Sequence, residues 1–294
     1  MNMNTDLLDI AKMDLHASEV LYENELYPQA IFYFQQSVEK ANKAFALITN
    51  QLEEKDLLKE VGHQTVNIYE KSIRIQKNRY EQLNEKLGNI PEFKSTKIIE
   101  NLNISKTLRQ IDGYLSQIKK IKERQEELIY ISKREIRQFL KDIASTKRDI
   151  EKDKRKISRF KITEKTLNKT KREIIDQLGF LSKYDPAQFE EAKKNLESTD
   201  IRLLVEKLIK NQSELLIIII PLSMSLYYLA IITLPHASIT RYPNPKNGQS
   251  PLNIYTKKLP IVKMLHELFE VHKSALNELK LLNKKFEVIN AGIH

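Results

Sequence analysis

Two regions of the sequence carry residues that could do chemistry: a polar face near residue 40 and a proline-rich loop near residue 240. In the first, a carboxylate and an ammonium group stand four residues apart, as neighbours on a helix do. In the second, a histidine, an arginine and a tyrosine lie among three prolines that restrict the backbone. Arginine can bind phosphate bidentately. A further candidate, outside both regions, is the histidine that follows Gly62. The candidate ligand-binding residues are therefore Glu39, Lys43, His63, His236, Arg241 and Tyr242.

Three of these residues, His63, His236 and Arg241, are also the catalytic candidates. A histidine would act as general base, and the arginine would stabilise charge on a phosphorane. The glycine-rich phosphate loop, Gly-x-Ser-x-Gly and His-Glu-x-x-His are absent from the sequence, as is cysteine. We therefore expect no metal site and no cofactor. For Glu39 and Lys43 the alternative is an ordinary surface ion pair worth ~0.3 kcal/mol.

The positive charge of the chain is concentrated in its middle. The 294 residues have a net charge of +10, but residues 71–172 alone hold 29 Lys or Arg and 14 Asp or Glu, a net charge of +15. A basic surface favours phosphate polymers and acidic membranes, whereas a solvated lysine-rich helix is the simpler alternative. The candidate nucleic-acid-binding residues are Lys147, Arg148, Lys152, Lys154, Arg155, Lys156 and Arg159.

Apolar residues recur with helical spacing along most of the chain, and no segment alternates with period two for long. The patterns predict helices over residues 5–24, 29–49, about 63–87, most of 96–181, 200–234 and 259–286. Six glycines are few for barrels, sandwiches or dinucleotide-binding folds. We therefore predict an all-α protein. The absence of cysteine and of an N-terminal secretory pattern favours a cytoplasmic location.

Isoleucines at every seventh position from Ile129 to Ile157 form one heptad row inside the basic region. This row predicts a helical hairpin or coiled-coil stalk. We therefore expect a discontinuous helical bundle from residues 1–70 and 196–294, with residues 71–195 as a basic helical hairpin inserted into it.

The segment Leu215–Leu234 is uncharged and long enough to span a membrane. Pro221 and the mid-segment Tyr227 and Tyr228 favour a central bundle helix instead. We consider a membrane span the less favoured of the two.

Several of these features together resemble the HEPN domain (higher eukaryotes and prokaryotes nucleotide-binding). The most specific is the block Phe34-Gln35-Gln36-Ser37-Val38-Glu39-Lys40-Ala41-x-Lys43-Ala44, supported by Gly62-His63 and by Thr240-Arg241-Tyr242-Pro243. The resemblance covers about residues 5–70 and 200–290. It implies an antiparallel bundle of four or five helices, commonly dimeric, often paired with a minimal nucleotidyltransferase in toxin–antitoxin systems.

The favoured function is a non-catalytic HEPN binding protein of a toxin–antitoxin or defence-type system, which binds a nucleotide, nucleic acid or a partner protein. The first alternative is an RNA-cleaving toxin whose basic segment holds RNA, and the second is a membrane-associated helical protein. Ribonuclease members of the family carry an arginine followed four to six residues later by histidine. No histidine of this sequence has an arginine at that spacing, so we expect no endoribonuclease centre of that kind.

Overall fold

The computed structural model describes residues 3–57, 64–88, 103–159, 161–179, 181–198, 201–243 and 248–291. These residues form helices and connecting turns with no strand among them, so the predicted all-α class is confirmed. In chain order the helices are α1 Met3–Glu23, α2 Tyr27–Ile48, α3 Glu54–Asp56, α4 Val66–Gly88, α5 Ile104–Glu123, α6 Lys133–Ser158, α7 Glu164–Leu178, α8 Leu181–Tyr184, α9 Pro186–Ser198, α10 Ile201–Thr233, α11 His236–Ile239, α12 Pro251–Ile254, α13 Pro260–Lys263 and α14 Leu265–Ala291. A 3₁₀ turn spans Glu127–Tyr130.

The chain divides into two compact units. The first unit comprises Met1–Lys77, Gln110–Arg148 and Ile218–His294, and the second comprises Asn78–Arg109 and Asp149–Ile217. Ile129, Ile131 and Ile136 belong to the core of the first unit. Residues 71–195 therefore contribute to both units, and their pairing as an inserted coiled-coil hairpin stays a prediction.

Helices α1 and α2 form the antiparallel centre of the first unit. The expected stripe on α2, which includes Ile31, Phe34 and Val38, is fully buried. Two hydroxyl groups join the helices at points where they touch: Ser18 Oγ donates to the carbonyl of Ala30 at 2.6 Å, and Ser37 Oγ donates to the carbonyl of Ala11 at 2.5 Å. Small or hydroxyl-bearing residues at these points let the two helices approach closely.

Helix α2 ends in a Schellman motif built on Asn50, which the sequence predicts as the cap. Asn50 has a φ of 53°, and its amide donates to the carbonyl of Leu47 at 3.0 Å. The next amide, of Gln51, donates to the carbonyl of Ala46 at 2.9 Å. Asparagine tolerates this left-handed conformation better than most residues, so the prediction is confirmed.

Most of the described residues within 96–181 are helical, as predicted, and they form several helices. Within the described residues of that range, the 3₁₀ turn separates α5 from α6, and a short loop separates α6 from α7. The start of α6 is set by a capping box. The Ser132 hydroxyl donates to Glu135 Oε2 at 2.7 Å and accepts from the Glu135 amide at 3.2 Å. Glu135 Oε2 also accepts from the Ser132 amide at 2.9 Å, and the hydrogen bonds that Ser132 donates from its hydroxyl and amide hold the pKa of Glu135 below its usual value.

Helices α10 and α14 complete the core of the first unit. Leu222, Leu226 and Leu229 on α10 are fully buried there. The helix continues through Pro221, which the sequence marks as a kink or break. The helical segment Ile209–Thr233 is long and apolar enough to cross a membrane, with a mean hydropathy of 2.4. The core helix of a soluble protein can have the same length and hydropathy.

A hydrogen bond and an ion pair join segments of the second unit. Glu206 on α10 accepts the Ile162 amide at 2.8 Å, which lowers the pKa of its carboxyl. Arg202 pairs with Glu164 on α7 at 2.9 Å. The sequence Asp185-Pro186 predicts a helix start, with aspartate as the N-cap and proline at the first helical position. The structure confirms it, since α9 begins at Pro186 and Asp185 Oδ1 accepts the Gln188 amide at 3.0 Å.

Candidate functional site

The α2 polar face is a continuous hydrogen-bond chain. Gln36 Nε2 donates to Gln35 Oε1 at 2.7 Å, and Gln35 Nε2 donates to Glu39 Oε2 at 3.1 Å. Lys43 Nζ closes one end on Glu39 Oε1 at 2.8 Å. Each residue of this block therefore fixes the rotamer of the next, so the block most specific to the family resemblance has a clear structural role.

Lys40 joins this chain to helix α1. Its Nζ donates to Gln36 Oε1 at 3.3 Å and to Asp14 Oδ2 at 2.7 Å. Glu39 is only 4% exposed. A carboxylate so buried needs charged and polar partners, because unpaired burial of charge is costly. The Glu39–Lys43 pair is therefore a part of the packed bundle, unlike the ordinary surface pair considered as the alternative.

His236 lies inside the bundle. Its side chain is fully buried, and Nδ1 lies 2.7 Å from the hydroxyl of Tyr255. Burial lowers the pKa of His236 to about 3 and raises that of Tyr255. Nε2 has no hydrogen-bond partner among the described residues. The imidazole is therefore not exposed to solvent, and its contact with Tyr255 joins the start of α11 to the residue that follows α12.

Arg241 follows α11 and lies on the surface. Its guanidinium carbon is 5.1 Å from the centre of the Phe32 ring and 5.5 Å from that of the Tyr242 ring. Thr240, itself buried, donates its hydroxyl to the carbonyl of His236 at 2.7 Å and so fixes the backbone that precedes Arg241. We call Phe32, Arg241 and Tyr242 the arginine–aromatic site.

The predicted ligand-binding residues thus fall into different environments. Glu39 and Lys43 belong to the α2 polar face, His236 is internal, and Arg241 and Tyr242 are exposed. His63 lies outside the described residues. The structure therefore brings only Arg241 and Tyr242 together as a surface pair, and it adds Phe32, which the sequence analysis did not identify.

The predicted nucleic-acid-binding residues are divided between the two units. In the first unit, Lys147 pairs with Glu278 at 2.6 Å and donates to Ser274 at 3.1 Å, so it joins α6 to α14. Arg148, also in the first unit, is exposed. In the second unit, Lys152 pairs with Asp149 at 3.1 Å and Lys154 with Glu151 at 3.6 Å. Arg155 and Arg159 are exposed, and the side chain of Lys156 lies outside the described part.

Buried polar residues that the sequence analysis did not select bind the helices together. Ser37 contacts His272, and the hydroxyl of Tyr69 on α4 donates to Asn42 Oδ1 on α2 at 2.5 Å. Burial raises the pKa of Tyr69. The sequence contains an indication for Ser37 and Asn42, because both lie beside the apolar stripe of α2. A polar side chain buried at such a position requires a hydrogen-bond partner.

Two surface cavities of the first unit lie away from these residues. A groove of about 780 Å³ between α4 and α5 is lined by charges that neutralise one another, among them Arg74 and Lys122, both paired with Glu70. A smaller cavity of about 320 Å³ is lined by Lys120, Arg124 and Tyr130 among others. Across the described residues no group of three His, Cys, Asp or Glu could hold a metal ion.

Comparison with known protein families gives a match to the HEPN domain. The family model of the HEPN domain matches residues 5–258. The match includes the basic segment between the two regions that carried the resemblance, and it ends within the second of them. No curated protein and no solved structure matches the chain. Because the family match covers most of the sequence and the described residues form an all-α bundle, the chain belongs to the HEPN family.

Proposed function

We propose that this HEPN protein is a non-catalytic binding module that recognises the phosphate and base of a nucleotide or of single-stranded nucleic acid at the arginine–aromatic site. The observation that carries the proposal is the position of the Arg241 guanidinium beside both the Phe32 and the Tyr242 rings. Family membership supports a role related to nucleotides or RNA, or a toxin-like role.

The chemistry of the site suits such a ligand. Contact with two aromatic faces restricts the guanidinium while leaving N–H groups to bind phosphate. Tyr242 is 63% exposed, so much of its ring is open to a stacking base. A guanidinium held in this way loses less conformational entropy on binding than a free side chain does.

A biological setting follows as part of the same proposal. We place the module in a toxin–antitoxin or defence-type system, where HEPN domains often occur beside a nucleotidyltransferase. The homodimer, the nucleotidyltransferase partner and the cytoplasmic location stay predictions. The ribonuclease alternative gains no support from His236, whose ring is buried away from any ligand in solvent.

The test is binding of labelled single-stranded RNA and of a mononucleotide to the full chain, by fluorescence anisotropy and calorimetry. Arg241→Gln is expected to weaken binding about tenfold or more, as loss of a charge-assisted hydrogen bond does. Arg241→Lys, which keeps the charge but not the planar group, is expected to restore only part of the affinity.

Lys263→Gln is the matched control, because it removes one exposed positive charge from the same unit. Equal affinities for wild type and Arg241→Gln would disprove the proposed site. The two ligands distinguish a mononucleotide site from a site for a longer strand. Electrophoresis of the RNA after incubation is expected to show it intact, and cleavage by the wild type would refute the non-catalytic assignment.

A further inference from the structure

The outward face of α6 carries a row of cations apart from the arginine–aromatic site. We call Arg134, Arg137, Lys141 and Arg148 the α6 row, and all four are exposed and belong to the first unit. They follow one another at intervals of three, four and seven residues. At 3.6 residues per turn this spacing places them within about 60° of the helix circumference, along about 21 Å of its axis.

The orientation of the row is set by the opposite face of the helix. Ile136 and Ile143 are 0% and 4% exposed, so they hold that face against the interior of the first unit. The Ser132–Glu135 capping box fixes the start of the helix just before the row begins. The four cations therefore project from a rigid, anchored element.

Acidic groups do not neutralise the row. Within the described part of the chain, none of its four residues forms an ion pair, although many other basic residues do, such as Lys40 with Asp14. The nearby acids are engaged elsewhere. Asp142 accepts hydrogen bonds from Gln138 and Tyr228, and Glu135 belongs to the capping box. Four aligned like charges repel one another, and a bound polyanion would relieve that repulsion.

We propose that the α6 row binds the phosphate backbone of single-stranded RNA without regard to base sequence. Three of its four members are arginine, whose planar group matches phosphate geometry. Phosphate contacts carry no base information, which gives sequence-independent binding. This surface is separate from the arginine–aromatic site and goes beyond the function proposed for it.

An anionic membrane fits the same row less well. A helix that lies on a membrane inserts its apolar face, but on α6 the apolar residues Ile136 and Ile143 are already buried within the protein. The spacing of the row continues in sequence at Lys152, Arg155 and Arg159, which belong to the second unit and are not included in the proposed surface.

The test compares two fourfold variants of the full chain that lose equal charge. One replaces the α6 row (Arg134→Gln, Arg137→Gln, Lys141→Gln and Arg148→Gln), and the matched control replaces exposed lysines of the same unit (Lys258→Gln, Lys263→Gln, Lys280→Gln and Lys284→Gln). The probe is a labelled oligouridine long enough to span the row. Binding is measured by anisotropy between about 50 and 200 mM salt, and folding by circular dichroism.

The wild type is expected to lose about 50-fold in affinity over that salt range, because four single-strand phosphate contacts give a log–log slope of about −2.8. The α6-row variant should bind at least about tenfold more weakly at low salt and lose most of that slope. The control variant should keep the slope. Arg241→Gln removes one phosphate contact at the other site and should reduce the slope by no more than about 0.7, which separates this proposal from the one for Arg241.

Unchanged binding by the row variant would overturn the proposal, as would an equal loss in both fourfold variants, which would indicate a general effect of net charge. Vesicles containing phosphatidylserine supply the membrane arm. Loss of vesicle binding by the row variant, with RNA binding intact, would replace the proposed ligand with a lipid surface.

Discussion

The hydroxyl of Ser37 on α2 lies 2.8 Å from Nε2 of His272 on α14, in the interior of the first unit. Ser37 donates its single hydrogen to the carbonyl of Ala11, so it must accept from His272, whose Nε2 therefore carries the proton. One serine thus connects α1, α2 and α14. Both residues are fully buried, which makes this pair a structural link rather than a reactive centre.

Replacing Ser37 with alanine is expected to reduce the free energy of unfolding by about 1–3 kcal/mol, because the buried Nε2–H of His272 would lose its acceptor. Urea unfolding followed by circular dichroism measures this change. Ser18→Ala is the matched control, since Ser18 donates to Ala30 at the same helix pair without contacting a histidine. A loss no greater than that of Ser18→Ala would contradict the proposed link.

The two buried histidines predict a pH-dependent stability. Burial lowers the pKa of both His236 and His272 to about 3, below the usual value of 6.5. Between these values the unfolded chain binds protons that the folded chain excludes, so stability falls as pH falls from about 6.5 toward 3. From pH 7 to 5, each histidine is expected to contribute a loss of about 2 kcal/mol.

Urea unfolding at pH 7 and at pH 5 measures this change in the free energy of unfolding. Both pH values lie above the range in which most carboxylates become protonated, so the change reports mainly on histidine. Replacement of the exposed His16 by asparagine serves as control and should leave the difference unchanged. Equal stability at the two pH values would show that the imidazoles are accessible to protons in the folded protein.

The Glu39–Lys43 pair should contribute more than a surface pair does. Lys43→Met leaves a carboxylate of 5% side-chain exposure without its cation and is expected to cost about 1–3 kcal/mol. Lys12→Met, which breaks the exposed pair with Asp9, should cost less than about 0.5 kcal/mol. The double variant Glu39→Gln, Lys43→Met should recover part of the loss. Equal losses in the free energy of unfolding for Lys43→Met and Lys12→Met would show that the Glu39–Lys43 pair contributes no more than an exposed ion pair does.

The left-handed conformation of Asn50 predicts an asymmetric response to substitution. Asn50→Val should reduce the free energy of unfolding by about 1–2 kcal/mol, because a β-branched residue resists this conformation. Asn50→Gly should be neutral or slightly stabilising, since glycine adopts it freely. Thermal unfolding of the two variants gives the comparison, and similar melting temperatures would speak against the Schellman motif.

Local features were predictable wherever a short stretch of sequence contains its own physical cause. The stripe of Ile31, Phe34 and Val38 reports a buried helix face, Asn50 ends α2, and Asp185-Pro186 begins α9. Spacing failed at the start of the isoleucine row, because Ile129 keeps the seven-residue interval but lies in the 3₁₀ turn that precedes α6. A heptad row identifies apolar positions but does not show that the backbone between them is helical.

By itself, the sequence determined that the protein is helical, that its charge is concentrated in the middle, and that it belongs to the HEPN family. Only the tertiary structure decided that His236 is internal while Arg241 is exposed, and that Phe32 lies beside the Arg241 guanidinium. The reason is physical: periodicity and composition are local properties, whereas burial and partners depend on contacts between residues that are distant in sequence.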